Sequence, residues 1–559
     1  MVDYFTGINQ IKLIHMKKYL FATLLLTVLY LYTVQNSFSQ LPDKNIYLLR
    51  NINTHSIPGG NYSAVWGYVA PDGREYAIMG CYDGTLFVDV TDAANIHEVG
   101  FVPSPAPGSY YNNWREMKTY SHYCYIVSEI ANSGFQIVDL QYLPDSIHYI
   151  KKYVPAGYSS THSISQSGPY LYANGASIGQ GVTVYDLTLD PEFPVKRGAY
   201  NSFYVHDCRV TDDTIYAANI TSGSVSIIDA KNKNSLTLVN VFSNLPGSGP
   251  HNTALSADKK YLFVTDEIGT APYLLKVWNI QDKQNVTYVT NWQPTGITNS
   301  IIHNVEVYGN YLFASHYSAG LRILDVSNPE IPTEIAWYDT YPSDNNTGYN
   351  GNWGLYMFPS GKIASSDRNT GLYVLKMNFN LKIAIEGLYN SNSNKMNIKD
   401  TVTAYLRNVN SPYNIIDSSK EVVNDISLTG NFKFSNALSG KYYIAVKHRN
   451  SIETWSRFSG ESYDPMTLMS YDFTDSYSKT FGDNSIQVDA SPVVFAMYSG
   501  DVNQDETVDA GDISLVENGV LNSLTGYKPE DLNGDYFTDA SDLSIVMNNS
   551  SVNITSVKP

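Results

Sequence analysis

The sequence predicts an all-β chain: a seven-bladed β-propeller followed by a β-sandwich, with a small α-helical calcium-loop module at the C-terminus. Three observations predict it. A unit of short Val/Ile/Leu/Phe/Tyr runs separated by Gly, Asn and Ser recurs seven times. The repeats stop near Leu381, where short alternating runs take over. Two copies of an acidic twelve-residue loop then close the chain.

The repeat is clearest from Ile302 to Val326, where Ile302–Val307, Tyr311–His316 and Leu321–Val326 read as three antiparallel strands with turns at Gly309-Asn310 and Ser318-Ala319-Gly320. A fourth run spans Thr333 to Tyr341. The third strand returns as Leu86–Val90, Phe135–Leu140, Val182–Leu187, Val225–Asp229, Leu275–Ile280 and Leu372–Leu375, and a Gly precedes six of the seven copies. First strands open on Trp66, Trp114, His162, His206, His251, His303 and Trp353, with gaps of 48, 48, 44, 45, 52 and 50 residues. A four-stranded propeller blade takes roughly 40–50 residues. The seventh unit lacks a fourth strand, and Asn45–Asn51 is the candidate to supply it and close the ring over residues 43–380.

Residues 1–39 read as a secretory signal peptide: Met16-Lys17-Lys18 is basic, Leu20–Val34 is apolar, and a polar stretch ends near Ser39. Met16 is a candidate start. The expected location is secreted or at the cell surface, with no integral membrane span after signal cleavage. A net charge of -17, with nothing that resembles a basic stripe, argues against a nucleic-acid partner. Cys81, Cys124 and Cys208 read as small buried apolar residues.

Residues 381–495 carry the expected β-sandwich, with runs at Thr401–Leu406, Phe432–Phe434 and Tyr442–Lys447. His448–Ser451 and Glu453–Trp455 read as a strand end with an anchored Trp rather than a polar site. The segment Gly430–Phe434 followed by Ser439–Ile444 resembles prealbumin-like, or carboxypeptidase-regulatory-like, sandwiches.

The sharpest motif is at the end. Asp501, Asn503, Asp505, Asp509 and Asp512 occupy positions 1, 3, 5, 9 and 12 of a loop, with the Thr507 carbonyl at position 7. Asp531, Asn533, Asp535, Phe537, Asp539 and Asp542 repeat the pattern. Such spacing surrounds a hard cation with oxygen, so two calcium ions are expected. Helix-like stretches follow at Ile513–Leu521 and Leu543–Met547. The duplicated loops, over residues 499–554, resemble a type I dockerin module. Position 6 is Glu506 and Tyr536 in place of Gly, and positions 10 and 11 are Ala510-Gly511 and Ala540-Ser541 in place of a Ser/Thr pair. The resemblance therefore implies calcium more directly than a cohesin partner.

The propeller resembles the LVIVD-repeat proteins and the choice-of-anchor B family, on Trp114–Lys118, Tyr204–Asp207, Pro250–Asn252, Ile302–Asn304 and Gly320–Asp325. That resemblance implies a fold and an extracellular setting, and carries no activity.

First strands line a propeller's channel, so His162, His206, His251 and His303 are candidates for a transition-metal site at one mouth. Glu129, Glu267, His316 and Asp367, at second-strand ends, are candidate further ligands or bases, and Arg115 a candidate carboxylate holder. The competing explanation is structural: each His fastens its blade to the neighbouring backbone. Two function classes follow. One is a secreted binding or scaffold protein with a cohesin-like or cell-surface partner. The other is a secreted polysaccharide-active enzyme, a metal-assisted lyase or glycoside hydrolase.

Overall fold

The computed structural model describes residues 42–55, 62–109, 114–176, 180–245 and 249–559. The expected signal peptide lies outside the described residues, and no helix among them is long and apolar enough to cross a membrane.

Among the described residues the chain is all-β apart from short helices at its C-terminal end and brief 3-10 turns. Seven antiparallel four-strand sheets follow one another. In the sixth, the strands are Val305–Tyr308, Tyr311–His316, Gly320–Asp325 and Thr333–Tyr338, and Asp43–Lys44 adds a short fifth. First strands of successive sheets pack side by side. Tyr62–Val69 of the first sheet packs on Asn352–Met357 of the seventh, so the sheets form a closed, propeller-like ring. Neighbouring sheets stack face to face, which buries both faces of the inner strands: every residue of Glu75–Cys81 and Gly84–Asp89 is buried. The outer strand His97–Pro103 is largely exposed or half-buried.

Ile46–Ile52 supplies the fourth strand of the seventh sheet, antiparallel to Gly371–Met377, with Ile46 opposite Met377 and Ile52 opposite Leu372. The recurrent glycine before the third strand has a steric cause. At Gly320 (φ +78°) an added Cβ would lie 2.3 Å from the Tyr338 carbonyl oxygen, and at Gly371 (φ +94°) 2.2 Å from that of Ile52. The fourth strand passes too close for a side chain, and the N-terminal strand makes the same approach. The recurrent Asp that ends the third strand is a turn cap: Asp89, Asp139, Asp186, Asp229 and Asp325 each accept the backbone N–H two residues on, at 2.8–2.9 Å. The three cysteines are buried and unpaired.

Beyond the ring, Phe379–Lys382 pairs with Thr429–Phe432 and, in parallel, with Met469–Asp472. Asp400–Asn408 pairs with Ile415–Val423 and Gly440–Lys447. The two sheets share one core that includes Leu381, Val402, Leu406, Phe432 and Val446. Two helices end the chain, α1 (Ala510–Leu521) and α2 (Ala540–Ser551); each starts three residues before the expected stretch, directly after its Asp cap, and α2 also runs four residues past Met547.

A buried polar clamp joins the first and seventh sheets. Glu75 Oε1 accepts the Ser360 N–H at 2.9 Å, Oε2 accepts the Ser360 hydroxyl at 2.5 Å, and Lys362 Nζ lies 3.6 Å away. Glu75→Ala leaves Lys362 and Ser360 without that acceptor in the interior. The expected cost is about 3 kcal/mol, read as a lower urea midpoint with the slope unchanged.

Candidate functional site

Four of the first strands bring their histidines to one end of the channel. The rings run in a row: His162 to His206 at 4.0 Å between centroids, His206 to His251 at 4.4 Å and His251 to His303 at 3.9 Å. The row ends on Trp353, 4.8 Å from His303. His251 Nδ1 donates to the His303 carbonyl (3.2 Å) and His303 Nδ1 to the Trp353 carbonyl (2.6 Å). A carbonyl can only accept, so both rings carry their proton on Nδ1 and turn a bare Nε2 the other way. His162 Nδ1 donates to Glu129 Oε1 at 2.5 Å. His206 Nδ1 is buried without a hydrogen-bond partner.

Glu267 faces the bare nitrogens. Its oxygens lie 3.5 Å from His251 Nε2 and 3.6 Å from His303 Nε2, and Oε1 accepts the Tyr317 hydroxyl at 3.2 Å. Burial holds His206, His251 and His303 well below the ordinary imidazole value, with the neighbouring rings adding to the effect for His206 and His251. For His303 the Trp353 hydrogen bond opposes burial without overcoming it. For His162 burial acts in the same sense, but the Glu129 hydrogen bond and charge overcome it and raise the ring. Burial pushes Glu267 up to about 7. His162, His206, Glu267, His303 and Trp353 share one cavity of about 240 Å³ with Arg368.

Two second-strand residues named from the sequence sit elsewhere. His316 and Asp367 are the last residues of their strands, whereas Glu129 and Glu267 are the first residues after theirs. Side chains alternate along a strand, so one position reverses the face. His316 instead meets Ser300 Oγ at 3.0 Å and lies edge-on to Trp292. Asp367 caps a turn, accepting the N–H groups of Asn369 and Thr370. The equivalents of Glu129 and Glu267 are Tyr317 and Arg368, and the rule "first residue past the second strand" would have found both. Gly351 (φ +98°) lets the seventh sheet approach: a Cβ there would sit 2.2 Å from the Tyr317 carbonyl oxygen.

Arg115 is committed between the first two sheets, where Nε donates to the Cys81 carbonyl (3.2 Å) and Nη1 to Gln136 Oε1 (3.4 Å). A guanidinium spent this way is a fastener, which corrects the expected role as a carboxylate holder. Trp66 is out of step with the other anchors. It is the fifth residue of Tyr62–Val69 and lines a second chamber with Glu116, Lys118, Asp207 and Arg209. Lys118 Nζ stands 3.8 Å over its ring.

The two C-terminal loops are built alike. Asp512 Oδ1 accepts the N–H groups of Val502 and Asn503, and its Oδ2 that of Asp509. Asp542 makes the same three bonds to Leu532, Asn533 and Asp539. Asp509 and Asp539 each cap a helix by accepting an N–H from position 11, Gly511 or Ser541. Asp501, Asp505 and Asp512 bring one oxygen each within 4.8 Å of one another. Asp501 is pushed up to about 6, first by burial and then, against backbone hydrogen bonds, by the Asp512 and Asp505 charges. A cation relieves that repulsion, and the all-oxygen donor set suits calcium. At position 6 the backbone is left-handed although the residues are not glycine, with φ +77° at Glu506 and +70° at Tyr536.

The run His448–Asn450, read from the sequence as a strand end, joins this module to the preceding sheets. Arg449 Nε donates to Asp400 Oδ2 (3.0 Å) and Nη1 to the Asp531 carbonyl (3.0 Å). Asn450 Nδ2 donates to the Pro529 and Asp531 carbonyls, both at 3.1 Å. The Tyr527 hydroxyl donates to Asp400, and Ile452 enters the core formed by Val508, Val516, Leu532 and Val546.

Residues 499–549 match the family described as Dockerin type I domain, and residues 302–340 match the LVIVD repeat. Dockerin domains bind calcium and cohesin partners, and occur in extracellular or cell-surface proteins. No curated protein matches the chain. Among solved structures, virginiamycin B lyase from Staphylococcus aureus is 16% identical over 59% of this chain and 99% of its own, with a TM-score of 0.41. A periplasmic gluconolactonase from Pseudomonas aeruginosa is 14% identical over 53% and 89%, at 0.40. A protein from Lactobacillus plantarum is 14% identical over 61% and 95%, at 0.42. Likeness at these levels says nothing about chemistry in this chain.

Burial opposes the charge of Asp400, but hydrogen bonds from His448 and Tyr527 and the Arg449 charge hold it well below the usual carboxylate range. A depressed carboxylate contributes its full stability above its unfolded value and loses it as pH falls towards the folded one. Docking of the C-terminal module is therefore expected to hold constant through neutral pH and to weaken below about pH 4. Asp400→Ala is expected to cost about 3 kcal/mol and to speed clipping of the tail by protease at pH 7.

Proposed function

We propose that the chain is a secreted modular binding protein. A seven-bladed β-propeller over residues 43–380 recognises a ligand, protein or polysaccharide, at its His-lined mouth. A β-sandwich over 381–495 acts as spacer and base for the last module. A dockerin-like module over 499–554 binds two calcium ions and attaches the protein to a cohesin-like or cell-surface partner. Residues 1–39 direct export as a signal peptide.

One observation carries the reading: the two C-terminal loops repeat each other almost exactly. Asp509 has φ −138° and ψ −163°, Asp539 −139° and −164°, and each starts a twelve-residue helix through a capping box. Duplicated architecture of this kind supports paired calcium loops and a two-helix docking face. Ala510, Gly511, Ala540 and Ser541, at positions 10 and 11, are all exposed. A second reading, a polysaccharide-active enzyme at the same mouth, is favoured by a specific observation: imidazoles and a carboxylate converge on one cavity wall.

Calorimetric titration of the full chain with calcium is expected to fill two sites. Asp501→Ala should remove one and Asp531→Ala the other. Chelation is expected to make the residues after 499 protease-sensitive while the ring stays resistant. Absence of calcium binding, or tail cleavage that ignores the chelator, contradicts the proposal.

A further inference from the structure

We propose that the mouth of the ring holds a divalent first-row transition metal ion, of the zinc type, bound by His206, His251 and Glu267. Each of the three offers one ligand atom, and these atoms all lie within 4.8 Å of one another. The site is independent of the calcium loops and of what the ring binds.

The first argument is a conflict between acceptors. His251 and His303 spend their Nδ1 protons on backbone carbonyls, so the Nε2 atoms that face Glu267 are lone pairs. The carboxylate oxygens facing them are lone pairs too. Their separations, 3.5 and 3.6 Å, are too long for hydrogen bonds. The His251–Glu267 separation matches instead the edge of a tetrahedron around an ion with bonds of about 2.1 Å, which is about 3.4 Å. A cation between the groups turns repulsion into coordination.

The second argument is the orphaned nitrogen. His206 sits between His162 and His251 in the row, and its Nδ1 is buried with no hydrogen-bond partner. Leaving such an atom unpaired costs free energy unless something outside the protein satisfies it.

The third argument is the support around the donors. Backbone carbonyls of His303 and Trp353 fix the rings of His251 and His303, and the Tyr317 hydroxyl holds Glu267 Oε1 at 3.2 Å. Hydrogen bonds of this kind set tautomer and aim in metal centres. Two imidazoles and one carboxylate leave a fourth position, and the adjoining cavity of about 240 Å³ has room for an exchangeable oxygen ligand beside Arg368. Imidazole donors select zinc, copper, iron or nickel over calcium or magnesium. The ion and the C-terminal calcium therefore sort themselves by chemistry.

The test uses the full chain, stripped of metal and returned to excess calcium so that the C-terminal loops are occupied. Cobalt(II) is then added as a spectroscopic stand-in for zinc. The expected result is one equivalent of cobalt with visible ligand-field bands, displaced by zinc, and a rise in melting temperature on zinc addition. Glu267→Gln keeps the shape of the side chain and is expected to weaken binding roughly tenfold or more; His206→Ala should do the same. Melting curves without metal show whether each variant is folded, and the wild-type titration stands whether or not they are. Absence of cobalt bands and of a zinc-dependent melting shift in the wild-type chain overturns the site. So does binding that is unchanged in a folded Glu267→Gln variant.

Discussion

The structure depends on one pairing, that of Ile46–Ile52 with Gly371–Met377. A ring of sheets is stable only if no unpaired edge separates its first and last members. The N-terminal strand meets that need, and Glu75 with Ser360 and Lys362 pins the same seam from inside. Closure also fixes the distances between first strands. Because those strands crowd around one axis, side chains from separate sheets, 44 to 52 residues apart in sequence, stand about one ring width from each other. The histidine row is thus a product of the ring.

The same economy governs the C-terminal end. The second acidic loop does not hang from a linker: the carbonyl of Asp531 accepts hydrogen bonds from Arg449 and Asn450, and Gly387 lets the Leu532 carbonyl approach to 2.4 Å of where a Cβ would be. Ordering the loop and docking the module therefore share their hydrogen bonds. A cation that relieved repulsion among Asp501, Asp505 and Asp512 in the first loop would act on a module already held through the second.

Much of this was legible in the sequence because burial on both faces writes continuous apolar runs. Leu86–Val90 and Leu321–Val326 announce themselves as strands, and a glycine before them marks the close fourth strand. The acidic loops were legible because their oxygen-bearing residues are close together in sequence. What failed was register. Trp66 looked like a blade anchor and lies three residues deeper in its strand than His251 and Trp353 do in theirs; His316 and Asp367 looked like site residues and point away, while Tyr317 and Arg368 beside them line the cavity. A period of two tolerates no error of one. Arg115 was misread because nothing local shows that Cys81 and Gln136, on other strands, would claim its guanidinium. The clasp of His448–Asn450 was invisible for the same reason, its partners lying some eighty residues on.

The most direct measurement is an anomalous difference map at the zinc edge, from crystals of the full chain grown with zinc and excess calcium. The account predicts one strong peak bounded by His206, His251 and Glu267, with the Nδ1 atoms of His251 and His303 still on the carbonyls of His303 and Trp353. An empty map at that point, with the four imidazoles turned apart into their own sheets, would contradict it.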